Sequence, residues 1–176
     1  MKNNNWYVIT GGPCSGKTTT LDEIKKLGYR VEYETARFWI EQELKNGKTL
    51  EEMRKDEHLF QKKILELKIE KEKEFPKDEL IFIERGIPDT LSYYDQSCGI
   101  KCDELLKEAL KTCSYKKVFL FQLLDYQKDY ARLENAKEAQ ELEDFLIRDY
   151  KSLGMDVVYV PKMSIEKRVK FILDNL

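Results

Sequence analysis

Long hydrophobic runs and a strong net charge are both missing from this sequence of 176 residues. No run approaches the roughly 20 apolar residues of a membrane-spanning helix, and the start, MKNNNWYVIT, lacks the apolar core of a signal peptide. The 31 basic residues nearly balance the 33 acidic ones, and the net charge of -2 gives no electrostatic reason to expect a nucleic-acid or membrane partner. We therefore expect a cytoplasmic protein with no membrane span and no nucleic-acid partner.

Cysteine and histidine are scarce. Four cysteines in a chain of this length do not form a disulfide framework. Three of them, Cys98, Cys102 and Cys113, lie near one another in sequence, but the single histidine, His58, lies far upstream. Because structural zinc sites pair close cysteine and histidine ligands, we expect reduced, partly buried thiols instead of a zinc site.

Proline and glycine are also few, and no linker, repeat or low-complexity tract divides the chain. The length fits a single domain over residues 1–176. Short apolar runs alternate with longer helical patterns, which predicts an α/β three-layer sandwich with a mainly parallel five-stranded sheet. The predicted strands are WYVIT (6–10), RVEYE (30–34), LIFIE (80–84), KVFLFQ (117–122) and VVYVP (157–161).

One long helix is predicted between the second and third strands. Thr49 and Glu52 have the spacing of a capping box, which would open this helix. An apolar stripe at helical spacing follows, formed by Met53, Phe60, Ile64 and Leu67. The charged run at 68–74 is interpreted as the solvated end of the helix.

A glycine-rich loop follows the first predicted strand. Gly11, four further residues and then Gly16-Lys17-Thr18 match the Walker A pattern, placed between a strand and a helix as its mechanism requires. Backbone N–H groups of such a loop wrap the β-phosphate, lysine bridges the β- and γ-phosphates, and the hydroxyl of Thr18 holds Mg²⁺. We expect ATP and Mg²⁺ as cofactors. The predicted nucleotide-binding residues are Gly11, Gly12, Pro13, Cys14, Ser15, Gly16, Lys17, Thr18 and Thr19.

Charged residues follow the next two predicted strands at the same edge of the sheet, where ligands of open parallel sheets bind. The second strand leads to Glu34 and Arg37, and the third leads to Glu84, Arg85 and Asp89. Phosphoryl transfer requires a carboxylate for the acceptor hydroxyl and cations for the phosphoryl oxygens. Surface ion pairs are the alternative interpretation, and they explain any one of these residues more easily than the whole set.

Several segments taken together resemble one known family. They are ITGGPCSGKTTT, YETAR, FIERGIPDTLSYY, DYARLE, YKSLGMDVVYVP and SIEKRVKFIL, in that order. They resemble the small AAA-type P-loop domain family, which includes the ribosylnicotinamide kinase domain of the bacterial NAD-biosynthesis regulator and the TRP-like channel translocation-defect protein. The resemblance covers residues 6–173 and implies similarity to nucleoside and nucleotide kinases.

The resemblance also implies roles for individual residues. Glu34 becomes the partner of the acceptor hydroxyl, and Arg37 becomes a cation on the substrate side. Glu84 and Arg85 resemble an acid–arginine pair in which the acid serves metal or substrate and the arginine meets phosphate. Arg132 resembles the arginine of a mobile lid, predicted at about 125–137. The predicted catalytic residues are Lys17, Glu34, Glu84, Arg85 and Arg132, and the predicted substrate-binding residues are Glu34, Arg37, Arg85 and Asp89. Thr18 and Glu84 are the predicted metal ligands.

Two functions remain open from sequence. The first is a kinase that phosphorylates a small molecule such as a nucleoside, a nucleotide or a vitamin derivative. The second is a nucleotide-dependent switch or binding module, a slow NTPase with a protein or phospholipid partner. The guanine motif N-K-x-D, the acidic pair of ring motors and the transporter signature loop are not found where they would be expected. The acceptor, the choice between ATP and GTP and the oligomeric state stay undetermined.

Overall fold

A five-stranded, all-parallel sheet forms the centre of the molecule in a computed structural model that describes residues 4–99, 102–123 and 136–176. The strand order is β2-β3-β1-β4-β5. The strands are β1 (Trp6–Gly11), β2 (Arg30–Glu32), β3 (Ile81–Glu84), β4 (Lys117–Phe121) and β5 (Val157–Val160). All five predicted strands are confirmed, and the parallel arrangement agrees with the nearly continuous apolar character of the three central strands, β3, β1 and β4.

Helices cover both faces of the sheet. They are α1 (Lys17–Lys26), α2 (Thr35–Lys45), α3 (Leu50–Met53), α4 (Glu57–Lys73), α5 (Asp89–Tyr93), α6 (Glu104–Thr112), α7 (Ala136–Ser152) and α8 (Ile165–Asp174). On one face, side chains of β1, β3 and β4 pack against α1 and α8; on the other, β1 and β4 pack against α7. The predicted α/β three-layer sandwich is thereby confirmed. Among the described residues, no helix combines the length and the apolar character needed to cross a membrane.

The long helix predicted after Thr49 is divided into two in the structure. The capping box is present, since the Glu52 backbone N–H donates to Thr49 Oγ1 and the Thr49 N–H donates to the Glu52 carboxylate. It opens only the four-residue α3, however. Asp56 then caps α4 by accepting a hydrogen bond from the Leu59 N–H at 3.0 Å. A short acidic side chain that binds the backbone in this way favours a helix start, so the continuous helix was the wrong prediction.

The charged run at 68–74 is not simply a solvated helix end. Lys68 is only 5% exposed, and its Nζ donates to the carbonyl of Gly86 at 2.9 Å. Glu72 keeps part of its side chain exposed, but its carboxylate accepts a 2.7 Å hydrogen bond from the Tyr115 hydroxyl. Burial raises the pKa of Glu72 to about 7. Both residues lie on the side of α4 that packs against the segment after β3, so α4 carries charged groups into the interior.

Candidate active site

The phosphate loop joins β1 to α1, and its backbone depends on glycine at two positions. Gly11 has φ +142°, and a Cβ there would lie 2.5 Å from the carbonyl oxygen of Phe121. Gly16 has φ +82° and precedes the first residue of α1. Cys14 also adopts a positive φ, of 59°. Few side chains tolerate these conformations, so the glycine pattern shapes the loop itself.

Lys17 lies inside the curve of this loop. Its Nζ donates to the carbonyls of Gly11 and Gly12 at 3.2 and 2.9 Å, and the side chain is 3% exposed. A second cation braces the loop from α8, where Arg168 donates to the Ser15 carbonyl at 2.7 Å. The sequence interpretation did not include Arg168. Its only signal was a charged residue on the apolar side of a helix, beside Val169 and Ile172.

Glu84 is the last residue of β3 and lies directly beside the start of α1. The Thr18 hydroxyl donates to Glu84 Oε1 at 2.8 Å, and Glu84 is 2% exposed. Burial raises the pKa of Glu84, and the like charge of Glu34 raises it further, whereas Lys17 and the Thr18 hydroxyl act in the opposite direction. A buried carboxylate whose pKa is raised by burial and by a neighbouring like charge is typical of a functional site.

The oxygen atoms of Thr18 and Glu84 form a donor set that fits Mg²⁺, which prefers hard oxygen ligands. Among the residues that the structure describes, no group of three or more histidine, cysteine, aspartate or glutamate side chains could hold a metal by itself. A sparse protein donor set is the usual arrangement where nucleotide phosphates and water complete the shell. A cation here would also relieve the charge that raises the pKa of Glu84.

Arg85 turns from the sheet into the site with a left-handed backbone, φ +64°. Its Nε lies 3.0 Å from Glu34 Oε1, and its Nη1 lies 3.0 Å from Asp89 Oδ1. The guanidinium is buried and stands over the ring of Tyr93 at 5.3 Å. A strained backbone at such a position costs of order 1–3 kcal/mol and persists only where surrounding contacts enforce it. Here Glu34 and Asp89 supply those contacts.

Asp89 lies behind this arginine instead of lining the pocket. It is fully buried, and its carboxylate accepts hydrogen bonds from Thr10, Arg85 and the Tyr150 hydroxyl. Direct substrate contact, as predicted from sequence, does not agree with this placement. Protein donors hold both carboxylate oxygens, so Asp89 is suited to holding Arg85 in position.

A cavity of about 680 Å³, including its open mouth, adjoins the phosphate loop at Pro13. Glu34, Arg37 and Arg85 lie in its wall, so three of the predicted substrate-side residues meet at one place. The apolar part of the lining consists of Ala36, Ile40, Phe60, Ile64 and Tyr93.

Three polar residues of this cavity were missed from sequence: Arg54, Gln61 and Lys68. They come from the α3–α4 region, which was interpreted as an amphipathic helix and its solvated end. The predicted Arg132 lies outside the described residues, as does all but the end of the predicted lid at 125–137.

Comparison with known proteins agrees with this architecture. The sequence profile of a protein family described as an AAA domain matches residues 6–168 of this chain. The chain belongs to the AAA domain family. A search of curated protein sequences found no significant match.

Solved structures of kinases share the fold of this AAA domain. A deoxyadenosine kinase from M. mycoides with bound dATP superimposes with a TM-score of 0.68 at 16% identity, over 97% of both chains. A thymidylate kinase from Ehrlichia chaffeensis gives a TM-score of 0.63 at 15% identity, over 98% of both chains. The NadR protein in complex with NR gives 0.69 at 13% identity, with 96% of this chain aligned to 49% of that one. At these identities the similarity establishes the fold.

Proposed function

We propose that this AAA domain is an ATP-dependent kinase that transfers the γ-phosphate to a small metabolite such as a nucleoside, a nucleotide or a vitamin derivative. One observation carries the proposal: the phosphate loop and the cavity that holds Glu34 and Arg85 share a wall at Pro13. A donor nucleotide and an acceptor could therefore lie side by side. Such an ATP-dependent enzyme would act in the cytoplasm.

On the donor side, the loop from Gly11 to Thr19 binds the phosphates of ATP through its backbone N–H groups and the N-terminus of α1. Lys17 exchanges its carbonyl partners for phosphate oxygens of higher negative charge. Thr18 and Glu84 would hold Mg²⁺, which would supply charge neutralisation at the phosphate oxygens.

On the acceptor side, Glu34 orients the acceptor hydroxyl and takes its proton as the acceptor oxygen bonds to the γ-phosphorus and the bond from that phosphorus to ADP breaks. Arg85, held 3.0 Å from Glu34, stabilises the charge that develops on the transferred phosphoryl group. Arg37 binds the acceptor from the same wall of the cavity. The buried setting strengthens these interactions because little water competes for them.

Glu34→Gln tests this assignment in a turnover screen with Mg-ATP over nucleosides, nucleotides and vitamin precursors. Transfer should fall by about 10²–10⁴, the usual contribution of a general base. ATP affinity measured by calorimetry should be nearly unchanged, whereas Lys17→Ala as the matched control should lose ATP affinity and keep its fold. Unchanged transfer in Glu34→Gln would remove Glu34 from the mechanism. Hydrolysis without transfer to any acceptor would favour the slow NTPase switch.

A further inference from the structure

The acceptor cavity has an unbalanced set of charged side chains. Four cations line it, namely Arg37, Arg54, Lys68 and Arg85, and in the described part of the chain only one carboxylate, Glu34, does so. A cavity built only to hold a neutral hydroxyl compound has no need of such an excess. The question is which of these cations are already neutralised by the protein.

Two of the four cations, Arg54 and Arg85, form ion pairs with carboxylates of the protein. Arg54 donates two hydrogen bonds of 2.8 Å to Glu57 and stacks over Phe60. Arg85 lies 3.0 Å from both Glu34 and Asp89. These contacts fix both guanidinium groups in the wall and balance their charge.

Lys68 differs from both arginines. Its ammonium group is buried, and its hydrogen bond goes to a neutral carbonyl, that of Gly86, at 2.9 Å. Within the described ranges no carboxylate lies within ion-pair distance of it. An ammonium has three N–H groups, so two remain for other acceptors.

A buried cation whose hydrogen bond goes to a neutral carbonyl is costly, and burial lowers the pKa of Lys68, although the charges of Asp89, Glu34 and Glu72 act in the opposite direction. Holding the Gly86 carbonyl does not explain the charge, because a neutral amide donor would serve equally well. Lys68 also lines the cavity, and this position points to a ligand whose negatively charged oxygen pairs directly with the ammonium.

We propose that the phosphate acceptor carries an oxyanion, a phosphate monoester or a carboxylate, which pairs with Lys68. The inference rests on the proposed kinase function, since it assigns a substrate class to the same cavity. The oxyanion accepts hydrogen bonds from the two remaining N–H groups of Lys68. The carbon skeleton or ring of the acceptor packs against the apolar wall of the cavity, which is formed by Ile40, Phe60, Ile64 and Tyr93. An acceptor that carries a fixed positive charge is selected against.

The test is calorimetry with the phosphate loop first saturated by a non-hydrolysable ATP analogue, so that anions do not bind there. The probes are thymidine, thymidine 5′-monophosphate, shikimate and nicotinamide riboside. At least one of the two anions should bind about ten-fold or more tightly than thymidine, which is typical of a charge-assisted contact. Which anion does so identifies phosphate or carboxylate. Nicotinamide riboside should bind no better than thymidine.

Substitutions then test whether Lys68 causes the preference for anions over thymidine. Lys68→Met should remove most of the anion preference while the affinity for thymidine changes little. Lys63→Met, an exposed lysine on the same helix, is the matched control and should keep the preference. Lys68→Gln, which can still donate to Gly86, provides the second variant if the methionine variant does not fold.

Equal affinity for anions and thymidine in the wild type, no measurable binding of either anion, or an unchanged preference in Lys68→Gln would each overturn the inference. These outcomes are separate from the kinase proposal. Lys68-dependent anion binding without phosphate transfer would contradict the kinase, whereas transfer to neutral acceptors with Lys68→Gln unaffected would contradict only the inference.

Discussion

Replacing Glu72 with glutamine should change how the stability of this protein depends on pH. The Glu72 carboxylate accepts a hydrogen bond from the Tyr115 hydroxyl, which in turn accepts one from the Ile87 N–H at 2.9 Å. Glutamine has nearly the same shape, and its carbonyl oxygen can accept the same hydrogen bond. The substitution therefore removes the titration and leaves the contact in place.

The magnitude follows from the pKa of the buried group. Burial raises the pKa of Glu72 from its ordinary 4.5 to about 7, while the Tyr115 hydrogen bond and Lys68 act in the opposite direction. The folded state therefore holds the proton more tightly than the unfolded chain. Its contribution to stability is complete below pH 4.5 and is lost as the pH rises through about 7. At about 1.4 kcal/mol for each pH unit, the loss is about 3 kcal/mol.

Urea denaturation of the wild type and of Glu72→Gln between pH 4.5 and pH 8 measures this effect. The difference in unfolding free energy should favour the variant increasingly as the pH rises and should level off above pH 7. Glu70→Gln, an exposed position on the same helix, should follow the wild type at every pH. A constant difference between Glu72→Gln and the wild type over this range would refute the argument that Glu72 is buried and titrates near neutrality.

Two further predictions concern the loop behind the acceptor cavity and the segment after β4. Gly86→Ala places a Cβ 3.0 Å from both Tyr115 Cζ and the Tyr150 hydroxyl, so overpacking should cost about 1–3 kcal/mol in urea denaturation. Phosphate transfer should also fall because Arg85 is displaced, and wild-type stability together with wild-type turnover would contradict this account. Arg132→Ala should lower transfer much more than ATP affinity, because a contact that strengthens in the transition state affects the rate. Equal effects on turnover and on calorimetric ATP binding would remove Arg132 from the catalytic set.

Some features of this protein can be read directly from sequence because their causes are local. The Walker A spacing identifies the phosphate loop, since glycine is needed where the backbone adopts a positive φ, as at Gly11 and Gly16. The three central strands, β3, β1 and β4, are recognisable because strands covered on both faces are nearly continuously apolar. The family resemblance to a small AAA-type P-loop domain also follows from these local segments, and the match over residues 6–168 confirms it.

Other features were decided by packing between distant segments. Lys68 and Glu72 belong to a run of alternating charges that looks solvated in sequence. Only the placement of α4 buries Lys68 beside Gly86 and brings Glu72 into contact with Tyr115. Asp89 follows a strand end exactly as a substrate ligand would, yet hydrogen bonds from Thr10 and Tyr150 turn it away from the cavity. The identity of a charged residue does not show whether water or protein surrounds its side chain. Its environment is set by elements that meet only in the folded chain, and so tertiary structure alone decided which charged residues line the cavity.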